Sequence, residues 1–166
     1  MARNVFVTVG STRFDKLVAV ASSPSFLHLL HQLGYSHLTL QHGKSPIPPH
    51  PSATPSDQAH LAPYSYKSSL QQDMENADLI ISHAGSGSIL EALRLKKKLI
   101  VVVNEDLMDN HQQELGSALH EQNHLVCTSV SRLEETLTTR EYDSLIPFPE
   151  PDPTRFANFL DSRLSF

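Results

Sequence analysis

Cysteine is almost missing from this chain. Cys127 is the one thiol among 166 residues, so no disulfide can form within it. No Asn-x-Ser/Thr acceptor occurs either, and without these two marks of an oxidising compartment a reducing setting is expected. Long apolar runs are also absent. The longest aliphatic stretch, Leu99 to Val103, falls far short of the ~20 residues that cross a bilayer, and no signal-like segment opens the sequence. The chain is therefore expected to be soluble and to meet a membrane only through a partner. Basic residues gather nowhere beyond Lys96, Lys97 and Lys98, and the net charge is -5, so a nucleic-acid footprint is lacking. Neither an Asp-x-Asp metal motif nor a Gly-x-Ser-x-Gly hydrolase turn is found, which counts against a small-molecule hydrolase.

The apolar content, 39%, suits one core, and a chain of this length buries roughly 70% of its unfolded surface without disulfides or a structural metal. Asn4 to Val9 reads as a buried first strand ending at Gly10. Helical spacing follows from Phe14 to Leu33 in two pieces broken near Ser23, and His37 to His42 alternates as a second strand. Gly43 to Pro63, rich in Pro, Ser and His, reads as a long loop. Beyond it the chain predicts a helix over 67–76, a strand over 78–82, a helix over 89–95, a strand over 99–103, a helix over 109–122, a strand over 125–128 and a helix over 130–137. This alternation predicts an α/β fold, a Rossmann-like doubly wound parallel sheet whose ligands bind beyond the carboxyl ends of the strands. One domain over 1–145 is expected. Residues 146–166 add a Pro-rich linker and a final amphipathic helix with Phe156, Phe159, Leu160, Leu164 and Phe166, suited to core packing or to a partner.

Two turns invite a phosphate. Gly85, Ser86, Gly87 and Ser88 lie between a strand and a helix, where free N–H groups and the helix dipole favour an anion. Gly10, Ser11 and Thr12 form a similar turn after the first strand. The plainer readings are a tight β-α turn and a helix cap. Leu90 occupies the third glycine position of a dinucleotide fingerprint, which weakens an NAD reading, and Gly43-Lys44-Ser45 lacks the first glycine of a phosphate-binding P-loop. His120 and His124 match HExxH, but Asn123 is placed to end the helix, so the second histidine should leave its face. No metal site is therefore expected. Histidines 28 and 31 read as the exposed side of a helix. Glu91 can meet a ribose diol or merely complement the helix dipole. Asn110, His111, Gln112 and Gln113 open a helix with side chains that can bind sugar hydroxyls, although Asp109 with Gln112 also resembles a capping box.

Residues 81–115, ISHAGSGSILEALRLKKKLIVVVNEDLMDNHQQEL, with FVTVGSTRF at 6–14, resemble the catalytic subunits of the two-component UDP-N-acetylglucosamine transferases of dolichol-linked oligosaccharide synthesis. Those subunits are similar in turn to the C-terminal, donor-binding half of GT-B glycosyltransferases. The resemblance implies that Gly10, Ser11, Thr12, Ser86, Gly87 and Ser88 surround the donor diphosphate and that Glu91 binds the uridine ribose. It also implies that Gln112 and Gln113, in an Asn-His-Gln motif, contact the N-acetylglucosamine ring. It further implies an inverting transfer to N-acetylglucosaminyl-diphosphodolichol at the cytosolic face of the endoplasmic reticulum, beside a membrane-anchored, acceptor-binding partner subunit. No cofactor is expected. His83 and His111 are this chain's candidates for the base, which the partner is otherwise expected to supply. Lys97-Lys98 departs from the Lys-Pro common before the fourth strand of relatives, away from the donor residues. The competing reading is a non-catalytic nucleotide-sugar-binding regulatory module.

Overall fold

The computed structural model describes residues 2–105 and 110–149, with the backbone but not the side chains of 110–112. Strands β1 (Asn4–Thr8), β2 (His37–Gln41), β3 (His60–Tyr64), β4 (Leu79–His83), β5 (Lys98–Val103) and β6 (Val126–Ser129) form one sheet. Its order is β3-β2-β1-β4-β5-β6, with every pair parallel. The order in which strands are added to the sheet reverses between β1 and β4, the switch point at which doubly wound sheets open a crevice.

Burial on both faces explains the unbroken apolar strands. In β4 and β5, Leu79, Ile81, Ile100 and Val102 enter one core, while Ile80, Leu99 and Val101 enter the other. Helices α1 (Asp15–Ala21), α2 (Pro24–Gln32) and α6 (Leu133–Thr139) fill the first face through Leu17, Phe26, Leu30, Leu133 and Leu137. Helices α3 (Gln71–Asn76), α4 (Ser86–Arg94) and α5 (Asn110–Glu121) fill the second through Met74, Ile89, Leu93, Leu115 and Leu119. The break between α1 and α2 has a local cause. Ser23 Oγ accepts from Phe26 N–H at 3.3 Å with Pro24 in the first turn, so a new helix starts there.

Three sequence expectations change. Strand β3 overlaps the end of the expected loop, whose Pro-, Ser- and His-rich composition argued against a core element. His60 N donates to Ser36 O and Tyr64 O accepts from His42 N, so even-numbered residues of β3 face β2. Pro63 thus turns its missing N–H to the open edge, where proline costs no ladder bond. Second, α3 starts at Gln71 rather than at residue 67. Third, residues 130–132 form a 3-10 turn before α6. The remaining Pro-rich segment, 42–59, crosses from β2 to β3 without a helix and is tied down. Ile47 packs on the first core, Ala59 N donates to Leu27 O at 3.0 Å, and His28 Nδ1 donates to Asp57 O at 2.9 Å. The expected C-terminal helix lies outside the described residues.

Candidate functional site

Parallel pairing sets Thr8 beside Ser82, so the turns that leave β1 and β4 emerge together at the carboxyl edge. His83, the last residue of β4, sits between them with 8% of its surface exposed. A Cβ on Gly10 would lie 2.7 Å from His83 Cε1, and one on Gly85 would overlap His83 Nε2. Neither position tolerates a side chain while the ring is there. Gly10 also has φ +64°, a conformation that favours glycine. His83 Nδ1 is buried without a hydrogen-bond partner among the described residues. Burial pushes the imidazole below its usual pKa, with the backbone of Thr8 acting the other way. The ring is thus neutral at pH 7, in contact with both turns.

The β1–α1 turn is braced from β2. Gln41, 1% exposed, accepts through Oε1 from Thr8 Oγ1, Val9 N–H at 3.2 Å and Gly10 N–H at 2.9 Å. Its Nε2 donates to Gly10 O at 2.7 Å and Ser65 O at 2.8 Å. Gly43, at φ +56°, comes so close that a Cβ would stand 2.6 Å from Thr12 O. Ser45 Oγ accepts from Phe14 N–H at 2.7 Å. These three residues were missed as site builders in the sequence, where Gly43-Lys44-Ser45 reads only as a failed phosphate motif and Gln41, buried against the alternation of Leu38 and Leu40, gives no local signal.

This bracing divides the labour within Gly10-Ser11-Thr12. The Gly10 N–H is taken by Gln41 and Thr8 Oγ1, and Thr12 uses both its N–H and its hydroxyl on Val9 O. Ser11 remains exposed. Opposite, Gly85 is the N-cap of α4 and supplies no side-chain acceptor, which leaves first-turn N–H groups open to an incoming anion. Ser86 and Gly87 are exposed, and Ser88 is half-buried. Glu91 is half-buried in the second turn of α4. Gln113 is half-buried on α5, whose first turn holds Asn110, His111 and Gln112; the side chains of those three lie outside the described residues, as does Asp109. A cavity of about 400 Å³, lined by Phe14, Val20, Val103, Asn104, Glu105 and Val130, opens beside the carboxyl end of β5.

The HExxH histidines are separately engaged. His120 Nδ1 accepts from Cys127 N–H at 3.1 Å, whereas His124 Nδ1 donates to Ile146 O at 3.0 Å. Between them α5 ends at Glu121 and Asn123 turns left-handed at φ +61°, which takes His124 off the helix face. No group of three or more His, Cys, Asp or Glu side chains suited to a metal ion occurs among the described residues.

The sheet order, with two glycine turns meeting at its switch point, defines a Rossmann-like domain of the kind found in GT-B glycosyltransferases. The crystal structure of Acinetobacter baumannii MurG shares this fold over 100% of the chain and 50% of its own length, with TM-score 0.65 at 16% identity. The chain belongs to the glycosyltransferase family 28 C-terminal domain family, whose model matches residues 4–160. Among its relatives, the UDP-N-acetylglucosamine transferase subunit ALG13 of Yarrowia lipolytica is 33% identical over 98% of the chain and 85% of the relative. The human protein of that name is 51% identical over 75% of the chain. The matched region spans only 11% of the human protein's length. A solution structure of ALG13 superposes with TM-score 0.72 at 27% identity, covering 99% of this chain and 98% of that one.

Proposed function

We propose that this chain is the donor-binding subunit of a UDP-N-acetylglucosamine transferase. It passes N-acetylglucosamine, with inversion, to N-acetylglucosaminyl-diphosphodolichol at the cytosolic face of the endoplasmic reticulum. The observation that carries the reading is the meeting of two glycine turns around His83 at the switch point of the sheet. In this mechanism the donor diphosphate lies between Ser11 and the N-terminus of α4, where Ser86, Gly87 and Ser88 offer N–H groups and hydroxyls. Charge that develops on the departing UDP meets donors already aimed at it, which is how a preorganised site lowers a barrier. Glu91 accepts from the ribose diol, and Gln112 and Gln113 contact the sugar.

The acceptor hydroxyl needs a base within hydrogen-bond reach. His83 is walled in by Gly10 and Gly85, a position suited to holding the turns apart rather than reaching an acceptor. The reading therefore assigns the base to the membrane-anchored partner subunit, or to a site completed by it, with His111 as this chain's remaining candidate. The test is transfer of radiolabelled N-acetylglucosamine to phytanyl-diphosphate-N-acetylglucosamine by the chain alone, by the chain with its partner, and by Glu91→Ala with the partner. Transfer is expected only with the partner, and Glu91→Ala should lower kcat/KM for the donor about tenfold or more. Binding of UDP-N-acetylglucosamine without transfer in any mixture would instead establish a non-catalytic module.

A further inference from the structure

We propose that Gln41 is a positioning residue of the donor site, setting the direction in which the Ser11 N–H points. This rests on the donor-binding reading above and deepens it. The argument starts from one peptide plane. The Gly10 carbonyl receives the Gln41 Nε2 hydrogen bond at 2.7 Å, so that oxygen faces into the sheet's end. No peptide bond here is cis, and in a trans peptide the N–H points opposite to the C=O. The Ser11 N–H, which shares the plane, is consequently turned away from Gln41 and outward at the carboxyl edge, and Ser11 is exposed.

The other Gln41 contacts close off alternatives. Oε1 occupies the Gly10 and Val9 N–H groups, so neither is available to an anion, and Thr12 N–H is committed to Val9 O. Of the turn's backbone donors from Val9 to Thr12, Ser11 alone is left for a phosphate. The amide orientation is itself determined, because three donors surround one end of the carboxamide and two carbonyls the other. Through Ser65 O the same side chain joins this turn to the segment that leaves β3. A buried amide with both ends satisfied has its desolvation offset by those hydrogen bonds and holds its neighbours in one geometry.

Gln41→Glu tests this directly. It keeps an acceptor toward Thr8, Val9 and Gly10 but sets a carboxylate oxygen against the Gly10 and Ser65 carbonyls, which should rotate the 10–11 peptide. In the complex with the partner subunit, the KM for UDP-N-acetylglucosamine should rise about tenfold, with the acceptor KM and kcat within about twofold of wild type. Burial against two carbonyls disfavours the carboxylate, so the defect should shrink as the pH is lowered and a protonated carboxyl again donates to a carbonyl. Leu137→Ala, in the first core on α6 and away from the 10–11 peptide, should lower the thermal midpoint and leave the donor KM alone. Should Gln41→Glu not fold, Gln41→Asn, too short to span the Gly10 and Ser65 carbonyls, should raise the donor KM in the same way. A donor KM within about twofold of wild type in either folded variant overturns the inference. Failure of the wild-type complex to bind UDP-N-acetylglucosamine would overturn the donor-site reading instead.

Discussion

His83 gives the site a pH dependence that can be worked out from its burial. Its folded pKa is depressed by desolvation below the usual 6.5, whereas in the unfolded chain the ring titrates normally. Between those two values the unfolded state binds the extra proton, so stability falls as pH drops below about 6.5. Replacing His83 by Gln should flatten this part of the stability-against-pH curve, as denaturant melts of both proteins at a series of pH values would show. An unchanged slope would mean that the ring is solvated. Much at this scale was legible in the sequence. Gly10, Gly85 and His83 stand in short motifs next to strands, so their place at the strand ends can be read locally, whereas the packing of His83 against both glycines cannot. Gln41 does not announce itself, because its role depends on a strand pairing between residues 37–41 and 4–8, which only the fold supplies.

At the scale of elements, β3 provides the clearest contrast. Its even-numbered N–H groups bond to β2 and its odd-numbered ones face outward, so two prolines one residue apart should behave oppositely. Pro63→Thr is expected to change stability by no more than about 0.5 kcal/mol, whereas Ala62→Pro removes a ladder bond and should cost about 2 kcal/mol or more. Chemical denaturation of both variants checks this. The sequence suggests a loop here because a proline in a five-residue run ordinarily demotes a strand, and no local signal says which way the missing N–H points. Strands β4 and β5 were legible because burial on both faces requires an unbroken apolar run. The C-terminal boundary of α5 was legible at Asn123 because a left-handed residue followed by an apolar run ends a helix.

For the molecule as a whole, the two cores lie on opposite faces of one six-stranded sheet, which makes them one cooperative unit. Leu40→Ala on the first face and Leu93→Ala on the second remove side chains that are 0% and 3% exposed, and each should cost about 2–5 kcal/mol. Both should lower one common unfolding transition, seen alike by far-UV and near-UV circular dichroism. Two separated transitions would mean that the faces melt independently. The order of strands across the sheet was beyond reach of the sequence alone, since alternation predicts a parallel sheet but not which strands neighbour which. Once β1 and β4 are adjacent, turns that are far apart in sequence share one ring.

That shared ring makes three positions one mutational unit. With the imidazole present, Gly85→Ala drives a methyl into it; with His83→Ala the same methyl enters the space left behind. The double variant should therefore be more stable than the sum of the two single losses predicts, by about 1 kcal/mol or more. In descent, glycine at 85 should persist while 83 stays a ring and be released when it does not, whereas Gly10, held at φ +64°, should persist in either case.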